Sequence, residues 1–155
     1  MQSKVESSLL QRKRIRLGRE NYLGGRSCFV TICCRDRRPF FQAQGKRADL
    51  RIDPYNASVR LIELLREVAA KESFRVHAYC IMPDHVHILV EGTDVKSNLL
   101  QFVRILKLRS AFEAKRMSGG QLWQRSYYEH ILRPAESTEW MGSTVEMQEE
   151  QGGPI

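Results

Sequence analysis

The amino-acid sequence predicts a single α+β domain with a ferredoxin-like arrangement, in which an antiparallel four-stranded sheet carries two helices on one face. Two observations predict this class. Four β-rich runs and two runs with helical spacing follow one another in the order β-α-β-β-α-β, which is the order of that fold. The length of 155 residues suits one well-packed domain and is short for two. The sheet face without helices is expected to stay open for a ligand.

The first strand is predicted to begin at Ser27. Its run, SCFVTICC, is rich in β-branched and aromatic residues and is followed by the polar stretch RDRRP. The first helix is predicted from about Pro54 to Lys71, because Asp53 can cap it and a proline suits the first helical position. Its apolar side chains recur at helical spacing, at Leu61, Ile62, Leu65, Val68 and Ala69.

The second and third strands are predicted to form a hairpin. The runs FRVHAYCIM and HVHILVEG are both rich in residues that favour strands, and only Pro83 and Asp84 separate them. So short a separation between two strand-like runs is typical of a tight turn.

The second helix is predicted over Val95 to Met117, with an apolar face and a basic side. The apolar face comprises Leu99, Phe102, Val103 and Leu106, and the basic side comprises Arg104, Lys107 and Lys115. The pair Gly119-Gly120 is expected to end this helix. The fourth strand is then predicted in the aromatic-rich run QLWQRSYYEHIL.

Three segments are expected along the chain. Residues 1–26 are basic and include RKRIRLGR, which suits either a disordered arm or a strip lying against phosphates. Residues 27–133 hold the predicted domain. Residues 134–155 are rich in Glu, Gln, Gly and Ser, and are expected to form an irregular acidic tail.

The charge is distributed unevenly between the domain and the tail. Of the 25 Lys and Arg and 18 Asp and Glu residues, every basic residue and 13 acidic ones precede Pro134, so the body is +12 and the tail is −5. A surplus of this size on a small domain favours a nucleic-acid partner. An anionic membrane surface is the competing interpretation, but no long amphipathic helix with a basic face and aromatic anchors is visible.

The cysteines and the first residues point to a reducing compartment. Cys28, Cys33, Cys34 and Cys80 show no C-x-x-C spacing, so we expect buried reduced thiols rather than disulfides or a zinc site. The stretch MQSKVESSLLQRKRIR contains charges throughout and no apolar run long enough for a signal peptide or membrane span. A soluble cytoplasmic protein is therefore expected.

A pair of histidines stands out in the third predicted strand. Strand alternation places His85 and His87 on one face and Val86, Ile88 and Val90 on the other. Two imidazoles side by side on an open sheet face have a spacing from which both can bind one divalent ion. The alternative is that both histidines are structural and partly exposed, and the H-x-H pattern alone does not decide between the two.

Three stretches in a fixed order resemble the single-tyrosine HUH transposases, in particular their REP-associated, insertion-sequence-like branch. They are AYCIMPDHVHILVEG, RILKLRSAF and LWQRSYYEHILR, and the likeness extends from about Arg14 to Trp140. The resemblance implies a ferredoxin-like fold and a metal site in which His85 and His87 hold Mg²⁺ or Mn²⁺. It also implies that a tyrosine attacks single-stranded DNA, which yields a 5′-phosphotyrosine link and a free 3′-hydroxyl.

The nucleophile that the resemblance implies is not found in this chain. The family carries it after the fourth strand in a pattern like Y-I-x-x-N-P, whereas Trp140 is followed by MGSTVEMQEEQGGPI, which has neither a tyrosine nor N-P. We interpret the chain as a degenerate transposase with impaired cleavage, so whether it is an enzyme stays undecided. Tyr127 and Tyr128 are the fallback nucleophiles, although packing or base stacking explains them better. His77 and His130 are interpreted as structural.

Contacts with single-stranded or hairpin DNA are expected from basic residues on several elements. They are Arg35, Arg37, Arg38, Arg104, Lys107, Arg125 and Arg133. The alternative function is a non-catalytic module that binds single-stranded nucleic acid on the same fold. A hydrolase on this fold is a third hypothesis, which only the fold recommends. A homodimer is compatible with the sequence, which does not decide it.

Overall fold

The computed structural model describes residues 17–41 and 54–133. These residues form four strands and two long helices, with bounds β1 Ser27–Cys33, α1 Pro54–Lys71, β2 Phe74–Met82, β3 His85–Gly92, α2 Leu99–Ser118 and β4 Tyr128–Ile131. Two short 3₁₀ helices, Arg19–Tyr22 and Arg35–Arg37, flank β1. Residues 1–16 and the predicted tail, 134–155, lie outside the described part of the chain.

The four strands form one antiparallel sheet in the order β2-β3-β1-β4. Strands β1 and β3 occupy its centre, and the hairpin of β2 and β3 turns at Pro83 and Asp84 as predicted. The predicted α+β, ferredoxin-like class is confirmed. It follows from the register that all strands present alternate residues to the same two sheet faces.

The hydrophobic core lies between one sheet face and the two helices. On β1, Val30 and Ile32 are fully buried, and on β3 the predicted core residues Val86, Ile88 and Val90 are buried beside them. The helices close this core with buried side chains that include Leu61, Leu64, Leu65, Val68, Leu99, Phe102, Val103 and Leu106. The residues that alternate with these strand positions therefore lie on the opposite, open face.

The second helix begins later than predicted. Its first residue is Leu99 rather than Val95, and the amide oxygen of Asn98 accepts a hydrogen bond from the backbone N–H of Gln101 at 3.2 Å. A side chain that accepts from the first-turn backbone marks a helix start. Val95 continues the apolar pattern in the sequence but is 84% exposed, so the pattern extended the prediction too far.

The fourth strand is shorter than the predicted run QLWQRSYYEHIL, since only Tyr128–Ile131 forms it. Before it, Trp123 makes a single bridge with Cys34, which also lies just past the end of β1. The indole N–H of Trp123 donates to the Ser110 hydroxyl at 2.8 Å. The Lys107 ammonium donates to the carbonyls of Gln124 and Arg125, at 2.8 and 3.0 Å. Side chains of helix α2 therefore bond to residues 123–125, in place of the continuous backbone ladder that a longer β4 would have formed with β1.

The described part of the predicted N-terminal arm, residues 17–26, packs against the domain. Tyr22 belongs to the buried core, and its hydroxyl donates to Glu129 Oε1 on β4 at 2.7 Å. Gly24 contacts the end of β3, where a Cβ added to Gly92 would collide with the Gly24 carbonyl oxygen. This part of the segment is therefore neither a free arm nor separate from the sheet.

The cysteines are reduced, as expected from their spacing in the sequence. All four cysteines are free thiols; Cys28, Cys33 and Cys34 are buried and Cys80 is partly exposed. None of the helices in the part of the chain that the structure describes has the length and apolar character needed to cross a membrane.

Candidate metal and DNA site

The two histidines of β3 lie on the open face of the sheet. His85 is the cross-strand partner of Cys33 on β1, and His87 is the partner of Thr31. Because alternation along β3 points the intervening Val86 into the core, both imidazoles leave the strand on the same side. The strand arrangement predicted from the H-x-H pattern is therefore the one observed.

The imidazole rings of His85 and His87 converge through the same ring nitrogen. Their Nε2 atoms are 3.1 Å apart, and the ring planes meet at 78° with centroids 4.6 Å apart. At this separation one Nε2 can donate a hydrogen bond to the other, and both can bind a single ion when neither carries a proton.

A separate partner holds the Nδ1 atom of each ring. His85 Nδ1 lies 2.6 Å from Asp84 Oδ1, and His87 Nδ1 lies 2.8 Å from the Thr31 hydroxyl. The other oxygen of Asp84 accepts from Arg37 Nε at 2.9 Å. Histidines that bind metals are commonly oriented in this way, with the distal nitrogen bonded to a carboxylate or another fixed group. Asp84 and Thr31 therefore direct both Nε2 atoms toward the same point.

The electrostatics of the pair favour neutral imidazole at His87 and a charged carboxylate at Asp84. Burial lowers the pKa of His87, and the neighbouring His85 lowers it further. The hydrogen bond from His85 lowers the pKa of Asp84, and the Arg37 guanidinium adds to that effect. Neutral imidazole is the form that binds a metal, so the lowered pKa of His87 favours the metal-binding form of that ring.

The donor set fits a divalent ion in part. Two imidazole nitrogens with fixed Nδ1 partners suit divalent transition metals, whereas Mg²⁺ and Mn²⁺ require oxygen ligands in addition. Within residues 17–41 and 54–133, no group of three His, Cys, Asp or Glu side chains is placed to hold a metal. The pair would therefore supply two ligands, and oxygen atoms from outside this group would have to complete the coordination.

The two fallback tyrosines lie on opposite sides of the sheet. Tyr127 is 9% exposed and belongs to the helix-side core, whereas Tyr128 is 66% exposed. Tyr128 is the cross-strand partner of Thr31, which in turn is the partner of His87. Tyr128 is therefore on the same face as the histidines, two strands away from His87.

The other two histidines have different surroundings. His77 Nε2 lies 2.8 Å from Glu91 Oε2, so it forms a pair with a carboxylate on β3. His130 on β4 is the cross-strand partner of Phe29 and is exposed on the open face. Neither lies within a group of metal-binding side chains among the described residues.

The structure distributes the predicted DNA-contact residues over different surfaces. Arg37 is bonded to Asp84 and lies 2.9 Å from Cys33 Sγ. Lys107 is bonded to backbone carbonyls. The others have exposed side chains, at Arg35, Arg38, Arg104, Arg125 and Arg133. Arg37 and Lys107 thus have roles inside the protein that the sequence analysis did not anticipate.

Sequence analysis missed the residues that orient the histidines. Asp84 was interpreted only as part of a turn, and Thr31 only as a strand residue. A signal for Asp84 exists in the sequence, since it directly precedes His85. Thr31 leaves no local signal, because its partner is 56 residues away along the chain.

Comparison with known proteins places this geometry in a family. Residues 28–141 match the family described as "Transposase IS200 like". The chain belongs to this family. The match covers all four strands and both long helices, and with them the histidine pair.

Two similar proteins differ in how much of the chain they match. The ISDra2 transposase TnpA of Deinococcus radiodurans is 37% identical over 86 residues, which is 50% of this chain and 59% of that protein. An uncharacterized protein of Haemophilus influenzae is 26% identical over 163 aligned positions, covering 88% of this chain and 87% of that protein. The chain therefore spans less than two thirds of the length of the ISDra2 transposase TnpA.

Two solved structures share the fold. A REP-associated tyrosine transposase bound to a REP hairpin superposes with a TM-score of 0.55 at 19% identity, covering 77% of this chain and 63% of that one. A candidate transposase from Deinococcus radiodurans superposes with a TM-score of 0.51 at 22% identity, covering 83% of this chain and 97% of that one. At these identities the likeness establishes the fold.

Proposed function

We propose that this transposase-family protein binds single-stranded or hairpin DNA through a divalent-metal site and that its strand cleavage is impaired. The observation that carries the proposal is the convergence of His85 Nε2 and His87 Nε2, 3.1 Å apart, with both Nδ1 atoms held from behind. In each ring one nitrogen is bonded to an orienting partner, and the other points to the position that both rings share.

His85 and His87 would hold Mg²⁺ or Mn²⁺. When bound, the ion would polarise a phosphate of the DNA and offset negative charge on its oxygens. Asp84 and Thr31 keep the two rings in place, and Arg37 keeps Asp84 in place. The contribution of the chain itself is thus a fixed pair of neutral nitrogen donors at the surface where a strand would lie.

The proposal of impaired cleavage rests on where the tyrosines are. All five precede residue 129 of the sequence, and the stretch after Trp140 contains none. Of the fallback pair, Tyr127 is buried in the core, which leaves Tyr128 as the accessible hydroxyl on the histidine face. Tyr128 is two strands away from His87, about 10 Å between the strand backbones, and it lies at the start of β4 rather than after β4, where the resemblance implies the nucleophile.

Hairpin or single-stranded DNA is proposed as the partner on two grounds. The body of the chain has a surplus of basic residues, and a structure with the same fold is that of a transposase bound to a REP hairpin. A cytoplasmic location agrees with the four free thiols. A homodimer stays a prediction, which light scattering of the purified protein would test.

The test combines binding with detection of covalent products. Labelled hairpin DNA with a single-stranded flank is incubated with the protein and Mn²⁺, and the products are separated on native and denaturing gels. We expect a native-gel complex strengthened by Mn²⁺ and no covalent band. The variant His85→Ala with His87→Ala should lose the Mn²⁺ effect, whereas the matched control His77→Ala should keep it.

Two other results would overturn parts of the proposal. A covalent band that disappears in Tyr128→Phe would show that cleavage is retained and that Tyr128 is the nucleophile. Binding that is unaffected by Mn²⁺ and identical in the double-histidine variant would favour the alternative, a non-catalytic module for single-stranded nucleic acid.

A further inference from the structure

A groove of about 650 Å³ lies between the turn after β1 and the segment that precedes β4. Its volume falls within the range of about 300 to 1,000 Å³ that is usual for small-ligand sites. Its lining combines two arginines, two glutamines, one carboxylate and one indole, and comprises Arg35, Asp36, Gln121, Trp123, Gln124 and Arg125. The family's histidine pair is not part of it.

Backbone hydrogen bonds fix the two walls of the groove relative to each other. The N–H of Arg35 donates to the Leu122 carbonyl at 2.8 Å, and the N–H of Gln124 donates to the Cys33 carbonyl at 2.9 Å. Lys107, on helix α2, donates to the carbonyls of Gln124 and Arg125 in the wall that precedes β4. The groove is therefore preformed, and a ligand would not have to order its walls on binding.

The groove adjoins the histidine site. Cys33, which accepts from one groove residue, is the cross-strand partner of His85. The N–H of the next residue, Cys34, donates to the carbonyl of Asp84 at 2.8 Å. Since Arg35 directly follows Cys34, a DNA strand that contacts the histidines can reach the groove within a few nucleotides.

The chemistry of the lining matches a nucleotide. Arg35 and Arg125 are exposed guanidinium groups suited to phosphate. The amides of Gln121 and Gln124 each offer donors and an acceptor, which is what reading a base edge requires. Resting on the proposed DNA-binding function, we infer that this groove binds an unpaired nucleotide of the DNA strand next to the histidine site. The arginines hold its phosphate and the glutamines contact its base.

One groove residue opposes such a ligand. Asp36 is at the rim, with its carboxylate 3.7 Å from Arg35 Nε, and both side chains are at least half exposed. A bound phosphate competes with this carboxylate for the guanidinium. Replacing Asp36 with Asn therefore raises the affinity for the strand.

The test uses three fluorescent probes and fluorescence anisotropy. The probes are a blunt DNA hairpin, the same hairpin with a six-nucleotide single-stranded extension, and that six-nucleotide strand alone. The variants are Arg35→Ala with Arg125→Ala, Gln121→Ala with Gln124→Ala, and Asp36→Asn. The matched control is Arg66→Ala with Arg116→Ala, which removes two exposed cations from the helices on the other side of the sheet.

The wild-type protein is expected to bind the extended hairpin at least tenfold more tightly than the blunt one. The groove arginine variant should lose that difference and weaken blunt-hairpin binding no more than the control variant does. Its salt dependence with the extended probe should fall by about 0.7 in logarithmic slope, from the one single-strand phosphate that the arginines hold. The glutamine variant should flatten the differences between extensions of different base composition, and the Asp36 variant should bind more tightly.

The outcomes separate this inference from the proposed function. If the extension gives no gain, or if the control variant removes the gain as fully as the groove variant, the groove assignment is wrong while hairpin binding stands. If the single strand binds through Arg35 and Arg125 but neither hairpin binds better, the groove is retained and the proposed hairpin function fails. Absence of binding to all three probes contradicts both.

Discussion

At the scale of single residues, the two partners of the histidine pair act differently. The Asp84 carboxylate can only accept, so it fixes the proton of neutral His85 on Nδ1 and leaves Nε2 bare. The Thr31 hydroxyl can donate or accept. Without an ion, neutral His87 can therefore carry its proton on Nε2 and donate it to His85 Nε2. With an ion at Nε2, the proton of His87 would instead be on Nδ1, where the Thr31 hydroxyl accepts it.

Replacing Asp84 with Asn is expected to weaken Mn²⁺ binding about tenfold, in the range typical of lost outer partners of metal-binding histidines. The variant keeps the size of the side chain but removes the charge that holds the His85 proton on Nδ1. Titration of Mn²⁺ by electron paramagnetic resonance measures the affinity. The matched control is Glu91→Gln, which removes a carboxylate bonded to His77 on the same strand. Equal losses in the two variants would contradict the positioning role of Asp84.

The buried thiols provide a prediction that depends on pH. Burial raises the pKa of Cys28 and of Cys34 from 9.0 to about 12. In the unfolded chain both would ionise near 9, so rising pH favours the unfolded state over the window from about 9 to 12. We expect iodoacetamide at pH 8 to alkylate Cys80 while leaving Cys28 and Cys34 unmodified, as read by mass spectrometry. Labelling of all of them at similar rates under native conditions would show that the core is open.

At the scale of secondary-structure elements, sequence patterns predicted the strands and helices better than their ends. Alternation placed Val86 and Ile88 in the core and the histidines opposite, because burial of one sheet face imposes that period. Helix α1 has the predicted bounds, since a proline marks its start. The start of α2 is marked by the local cap at Asn98, which the apolar pattern does not register. The length of β4 depends on contacts with distant residues, such as the bond from Trp123 to Ser110. Local patterns do not contain that information.

Replacing Asn98 with Ala is expected to lower the free energy of unfolding by about 1 kcal/mol, the usual cost of removing a helix N-cap. The side chain of Asn98 accepts from the N–H of Gln101, which has no partner in the preceding turn. Urea denaturation followed by circular dichroism measures the change. Asn98→Ser should cost only a few tenths of a kcal/mol, and equal losses for Ser and Ala would argue against capping.

At the scale of the whole molecule, distant parts of the chain meet at Gly92. The N–H of Gly92 donates to the Arg26 carbonyl, and the N–H of Gly24 donates to the Ser97 carbonyl, at 3.0 and 2.9 Å. The end of β3, the segment before β1 and the approach to α2 are thus packed at one place. The sequence alone marks Gly92 only as the end of a strand-like run, because the crowding comes from residues far along the chain.

Replacing Gly92 with Ala is expected to destabilise the protein by about 3 kcal/mol, at the upper end of the usual cost of overpacking. The added Cβ would collide with the Gly24 carbonyl oxygen and crowd the Ser97 side chain. Thermal and urea unfolding measure the loss. The control is Gly120→Ala, because a Cβ at Gly120 meets no atom within contact distance. A neutral Gly92→Ala would mean that the N-terminal segment is not packed as described.

The order in which the chain is synthesised gives the histidine site a further property. Thr31, Arg37, Asp84, His85 and His87 all lie in strands β1 and β3 or in the turns beside them, so they precede α2 and β4 in the order of translation. Strand β4 adds to the outer side of β1 and supplies none of the bonds that orient the two rings. Changes late in the gene can therefore alter the end of the chain and leave the two histidines and their orienting partners in place, so that the proposed metal site and the proposed cleavage can be lost separately.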